Sequence, residues 1–341
     1  MSQPFVSVIV PVFNEESHLE ECLESVIKQT LGNIEIVVVD DCSIDSSQAI
    51  IESYLKKDKR IRLVTHDFNK GRCEARNTGV TSSCGEYIYF LDSDDSLPLD
   101  SIESLHNVAR EFGSDLVLGG FNSAMTVDRH FIKCNLYNVS ITNYPDLLYN
   151  HSVLNKLINR NALLETDIRF TPPRCAEDIL FSLKLNLALD SISIITKKTY
   201  NYRWGRQLKS ATKEKVMDAQ MNELAALEIV RNYNNDFLYT KMQEKTAKTV
   251  FGCMGRAAKA LDSSELEIYL CKWKDVLFAI PDSSHKTLPK YVSYFCELIS
   301  DEKYGAAIKL SKWMHFLKSI RDFFRLPKGI KTYKATDEAN N

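Results

Sequence analysis

The chain has 341 residues, 44% apolar and 26% charged, which suits a soluble globular protein of one large domain with an appendage, or of two domains. Its 43 basic and 45 acidic residues leave a net charge of -2, so no global field draws it to nucleic acid or anionic lipid. The nine cysteines are scattered without a CxxC pair, and no apolar run approaches the ~20 residues of a membrane span, as expected for reduced, packed thiols in a cytosolic protein.

In chain order, Met1 to Val12 has no basic region before its apolar run, so Phe5 to Val10, ended by Pro11, reads as a strand and not a signal peptide. Glu16 to Gln29 has helical spacing through Leu19, Cys22, Leu23, Val26 and Ile27. Ile34 to Val39 is a second strand running into Asp40-Asp41, Ser46 to Leu55 a helix, and Ile61 to Val64 a third strand. Cys73 to Ser82 reads as a helix, and Tyr87 to Leu91 as a fourth strand ending in Asp92-Ser93-Asp94-Asp95. Near-continuous apolar strands separated by helices predict a doubly wound α/β domain with a mostly parallel sheet covered on both faces.

Farther on the pattern is less regular, with helical stretches expected at Ser152 to Arg160 and Glu177 to Leu189. Beyond Ser210 the chain reads as helical almost throughout: Ala211 to Asn232, Leu238 to Leu261, Ser264 to Phe278 and Lys286 to Ile299 carry apolar residues at three- and four-residue spacing. The expected organisation is a catalytic domain over 1–210, a helical module over 211–330 and a polar tail over 331–341.

Three strands end in polar or turn-forming residues, where an open α/β sheet binds ligands. Carboxylates are costly to bury and poor strand formers, and a helix cap needs one carboxylate, not three in four positions. Oxygen-only donors in this density suit Mg²⁺ or Mn²⁺ shared with substrate phosphates. On an extended chain Asp92 and Asp94 would point the same way and Asp95 the opposite way. Gly71-Arg72 and Ala75-Arg76-Asn77 fit a turn at a helix amino terminus, where N–H dipoles favour phosphate.

The segments VSVIVPVFNEE, IEIVVVDDCSID, NKGRCEARNTGV and YIYFLDSDDSLP, followed by NKLINR, AEDILFSLKL and YNYRWGRQLKSAT, resemble the glycosyltransferase family 2 enzymes in order and spacing over residues 5 to 212. The resemblance implies a GT-A fold and inverting sugar transfer from a nucleotide-sugar, with Mn²⁺ or Mg²⁺ as cofactor. It implies that Pro11, Phe13, Glu15 and Asp41 receive the nucleoside, with uridine the expected base. Arg76 is expected to contact the diphosphate or to orient the acidic cluster. Asp94 is the expected metal ligand with Asp95 as partner, and Asp92 serves the ribose or the metal's water shell. From the residues alone Glu177-Asp178 reads first as a helix-start pair; likeness to the family's ED motif reverses that, and implies that Asp178 is the base and Glu177 orients the acceptor. Lys156 and Arg203 are candidate cationic helpers for the departing diphosphate.

Lys309 to Arg325 is amphipathic, with Trp313, Phe316, Leu317, Ile320, Phe323 and Phe324 on one face and a basic rim continued by Lys328, Lys331 and Lys334. Such a helix either packs on the protein or lies peripherally on the inner face of the cell membrane, so contact through 309–334 is open. The expected acceptor is a hydroxyl of a glycan or lipid-linked glycan in surface polysaccharide or lipopolysaccharide synthesis. A nucleotide-sugar pyrophosphorylase would share sheet and metal, but PVFNEES lacks its Gly-rich, Arg-containing phosphate loop. A non-catalytic glycan-binding protein on this fold would be expected to lack the acidic cluster or the ED pair, and both are present.

Overall fold

The computed structural model describes residues 3–122, 134–171, 177–203, 213–278, 290–301 and 303–310. It divides into two compact units, Met1–Met242 and Gln243–Asn341. The expected boundary near residue 210 falls earlier than this division, because the helix that follows it packs on an element of the first unit, as described below.

The first unit is built on an eight-stranded sheet: β1 (Val6–Val12), β2 (Ile34–Asp40), β3 (Ile61–Thr65), β4 (Tyr87–Phe90), β5 (Leu116–Asn122), β6 (Leu136–Val139), β7 (Lys156–Asn159) and β8 (Ile192–Asn201). The spatial order is β3-β2-β1-β4-β7-β5-β8-β6. β1, β2, β3 and β4 run parallel, as do β5 and β8, while β7 and β6 are antiparallel to their neighbours. Every residue of β1, β2 and β4 is buried, which is why these strands read as continuous apolar runs. Each buried Val or Ile side chain contributes roughly 1.5–3 kcal/mol of transfer free energy.

Helices α1 (Leu19–Ile27), α2 (Ser47–Lys57), α3 (Arg72–Ser82) and α4 (Ser101–Phe112) connect the early strands, followed by α5 (Arg160–Glu165), α6 (Glu177–Ala188) and α7 (Lys213–Asn232). α7 packs against α6. The division between the units falls within α8 (Asp236–Ala260), and the second unit continues with α9 (Ser263–Phe278) and α10 (Lys290–Ser300), which pack on each other. Among the described residues no helix is long and apolar enough to cross a membrane.

The expected helix over Ser152 to Arg160 is a correction: Lys156–Asn159 is instead strand β7, inserted antiparallel between β4 and β5. Four residues are too few for periodicity to separate strand from helix, and pairing on both sides decides the outcome. Asn159 then caps α5, its Oδ1 accepting from the N–H groups of Asn161 and Ala162.

At the switch point β1 separates β2 from β4. β4 pairs with β1 only as far as Ile9↔Phe90, while β2 follows it to Val12↔Asp40. Pro11, which has no N–H to donate, therefore sits where β4 no longer pairs. The diverging strand ends open a crevice at the carboxyl edge of the sheet.

Candidate active site

A cavity of about 530 Å³ occupies that crevice, lined by the end of β1, the loop before α3, the acidic turn after β4 and the start of α6. Pro11, Phe13, Glu15, Asp41, Asp92, Asp94 and Glu177, each expected from the sequence, are among its lining residues.

The acidic cluster is a turn and not an extended segment, which corrects the expectation that Asp95 points away from Asp92 and Asp94. The Asp95 N–H donates to the Asp92 carbonyl at 3.1 Å, and one carboxylate oxygen from each of Asp92, Asp94 and Asp95 lies within 4.8 Å of the others. A clasp from the end of β8 holds this turn. Tyr200 Oη donates to Asp95 Oδ2 at 2.8 Å and accepts from the Asp92 N–H at 3.2 Å. Arg203 N–H donates to Asp95 Oδ1 at 2.6 Å, and its Nε to the Asp94 carbonyl at 2.9 Å. Its guanidinium also pairs with Glu21. Both oxygens of Asp95 are thus engaged by the protein, and burial pushes its carboxyl up to about 7.

Arg76 joins the acidic turn to the ED pair. Its guanidinium is fully buried: Nη2 donates to Asp92 Oδ1 at 2.8 Å and Nη1 to Asp178 Oδ1 at 2.7 Å, with Glu177 Oε1 at 3.4 Å. Burial works against this charge, but Asp92, Asp178 and Glu177 outweigh it and raise its pKa. Arg72, half-exposed at the cleft, adds a second pairing to Glu177 Oε1 at 2.6 Å. Packing aims α6: Phe181, one turn beyond Glu177, stacks on Phe170 with ring centroids 3.9 Å apart, and Phe90 of β4 meets Phe170 edge-on at 5.3 Å. Asn77 of α3 fixes Phe170 by accepting from its N–H at 3.0 Å and donating to its carbonyl at 2.9 Å.

On the other side of the cleft, Phe13 is 46% exposed, an aromatic face left open beside Pro11. Glu15 is buried and accepts from His18 Nδ1 at 2.6 Å. Asp41 is also buried. Its Oδ1 accepts from the Lys70 N–H at 2.8 Å and from His66 Nδ1 at 2.7 Å, and its Oδ2 from the Gly71 N–H at 2.8 Å. Gly71 has φ 88 and ψ 161, a backbone region open only to glycine, so the turn into α3 requires it.

Lys156 departs from its expected place. It is fully buried in β7, does not line the cleft, and its ammonium donates to Asn150 Oδ1 and the Ser152 carbonyl. Burial lowers its pKa to about 7, so it is a poor source of fixed positive charge for a diphosphate. Arg203 acts on the acidic turn from outside the lining. Tyr200 and His66 were not singled out from sequence: the motif around Tyr200 was legible, but the partners of its phenol lie 105 and 108 residues away along the chain.

Residues 7–174 match the family model described as Glycosyl transferase family 2. The Bacillus subtilis glycosyltransferase EpsJ is 32% identical over 216 residues, 59% of this chain and 61% of EpsJ. The Staphylococcus aureus poly(ribitol-phosphate) beta-N-acetylglucosaminyltransferase TarS is 32% identical over 235 residues, 66% of this chain and 40% of TarS. The chain thus spans less than two thirds of the length of these curated relatives. The crystal structure of S. aureus TarS 1-349 superposes with a TM-score of 0.73 at 22% identity, covering 91% of each chain, which establishes the likeness of fold.

Proposed function

The chain belongs to glycosyl transferase family 2 through residues 7–174, and from that premise we propose that it moves a sugar, with inversion, from a UDP-sugar to a hydroxyl of a glycan or lipid-linked glycan acceptor in surface-polymer synthesis. The observation that carries this reading is the Arg76 hub, one buried guanidinium that ties Asp92 of the acidic turn to Asp178 of the ED pair. Support for the donor comes from TarS, crystallised with UDP-GlcNAc and with UDP. TarS is named for transfer to poly(ribitol-phosphate), and ribitol units carry free hydroxyls.

The hard, oxygen-only donor set of the acidic turn fits Mg²⁺ or Mn²⁺. Asp94 and Asp92 are assigned to hold the ion, and Asp95 to anchor the turn through Tyr200 and Arg203. When bound, the ion supplies electrostatic stabilisation of the charge that gathers on the departing diphosphate. Phe13 and Pro11 back the nucleobase, and Arg76 fixes Asp92 toward the diphosphate. Asp178 gives Oδ1 to Arg76; its Oδ2 is assigned to take the proton from the acceptor hydroxyl as that oxygen attacks the anomeric carbon opposite the leaving UDP.

The test is hydrolysis of a panel of UDP-sugars with Mn²⁺, read beside thermal shifts for the same ligands. The wild type should be stabilised by, and slowly hydrolyse, one donor, with both effects lost on Asp94→Ala. Asp178→Asn should keep the stabilisation while transfer falls by roughly 10²- to 10⁴-fold. Hydrolysis that survives Asp94→Ala would sink the metal assignment, and full transfer by Asp178→Asn the base.

A further inference from the structure

His66 has no part in the chemistry above and does not line the cleft. It follows β3, its N–H donating to the Asp40 carbonyl at 2.9 Å, and its side chain is only 4% exposed. A carboxylate only accepts, so the 2.7 Å contact with Asp41 Oδ1 puts the ring proton on Nδ1; Nε2 meets Thr78 Oγ1 of α3 at 2.9 Å. The same Asp41 carboxylate holds the N–H groups of Lys70 and Gly71, which with Asn69 form one wall of the cleft. Asp41 is therefore a peg on which that wall hangs, and the imidazole, locked between α3 and the peg, sets the angle at which the peg stands.

We propose that His66 is a positioning residue for donor recognition, holding Asp41 in the rotamer that fixes the Asn69–Gly71 wall against the nucleotide. This rests on the reading of the cleft as a nucleotide-sugar site. The geometry of the ring supplies a test that a merely structural role would not pass. An asparagine at 66 puts an amide N–H near the place of Nδ1–H, where it can still donate to Asp41. A glutamine puts its amide near the place of Nε2, toward Thr78, and leaves Asp41 without that donor.

Binding of UDP in the presence of Mn²⁺ is measured by titration calorimetry on the full chain, with melting temperatures and donor kinetics in parallel. His66→Asn should bind UDP within about threefold of the wild type, while His66→Gln should bind about tenfold more weakly, the scale of one lost charge-assisted hydrogen bond. KM for the donor should rise by the same factor in His66→Gln, with kcat at saturating donor unchanged and melting temperatures of the two variants alike. Thr78→Val, of nearly equal volume, removes only the outer support of the ring and should weaken UDP binding by a smaller factor, about threefold; it serves if His66→Gln does not fold. Equal affinities for the two His66 variants, or an unchanged Thr78→Val, overturn the inference while the donor site stands. A wild type that binds no UDP removes the reading of the cleft, and the inference with it.

Discussion

A guanidinium buried as completely as that of Arg76 is stable because carboxylates meet it on both sides, Asp92 through one terminal nitrogen and Asp178 and Glu177 through the other. Removing the planar fork would take the shared partner from the part-exposed Asp92 and Asp178 and leave the buried Glu177 with Arg72 alone, a loss below the roughly 3–5 kcal/mol of a fully buried pair that is broken. Lysine preserves the charge but places it at one point, and one ammonium cannot span both carboxylates in the same geometry. Arg76→Lys should therefore fold with a lowered melting temperature and lose about 10²-fold in kcat, the scale of a small misplacement of reacting groups. Wild-type kcat in that variant, measured at saturating donor and Mn²⁺, would show that the two carboxylates need no common tether. The same residue marks how far a sequence can be read. Asp92, Asp178 and Arg76 stand out as types in motifs, but nothing in their spacing says that one side chain bridges the other two across 16 and 102 positions. His66 and Tyr200 are harder still, since each acts through a partner on another element and neither is a residue type that demands a function.

At the scale of elements, α3 lies against β1 at a glycine. A Cβ on Gly79 would stand 2.2 Å from Ile9 Cγ2, far inside contact distance. Gly79→Ala should thus lower stability by about 1–3 kcal/mol in urea denaturation. Combined with Ile9→Ala, which removes the obstructing methyl, its cost should fall below the sum of the two single costs. Strictly additive costs would mean that α3 shifts freely, and the close fit beneath Arg72 and Arg76 would lose its importance. The parallel half of the sheet was legible because burial on both faces writes uninterrupted apolar runs, and turn residues punctuate them. β5, β6, β7 and β8 were not, for β7 is four residues long, β6 has two exposed residues between two half-buried ones and no alternation, and β8 carries exposed Thr196, Lys197 and Lys198 at its middle. Their assignment comes from pairing partners, which periodicity cannot supply.

At the scale of the whole molecule, the sequence offers one surface that the described residues do not reach: all of the amphipathic stretch beyond Leu310 lies outside them. The sequence pattern of aromatic and basic residues there suits either packing on the protein or an anionic membrane interface, where a lipid-linked acceptor would be found. Deletion of residues 306–341 should lower co-sedimentation with anionic liposomes, and less so at high salt; undiminished sedimentation would assign those aromatics to packing instead. The Tyr200–Arg203 clasp has a consequence in time. The acidic turn is made early in synthesis, but the groups that hold Asp95 come 105 and 108 residues later. At typical rates of elongation that delay is on the order of 5–20 s. During it, the nascent chain carries Asp92, Asp94 and Asp95 without the frame that gathers them. A cation held by the proposed Asp92 and Asp94 would then be captured late, when β8 docks, and would reward a finished domain without templating an unfinished one.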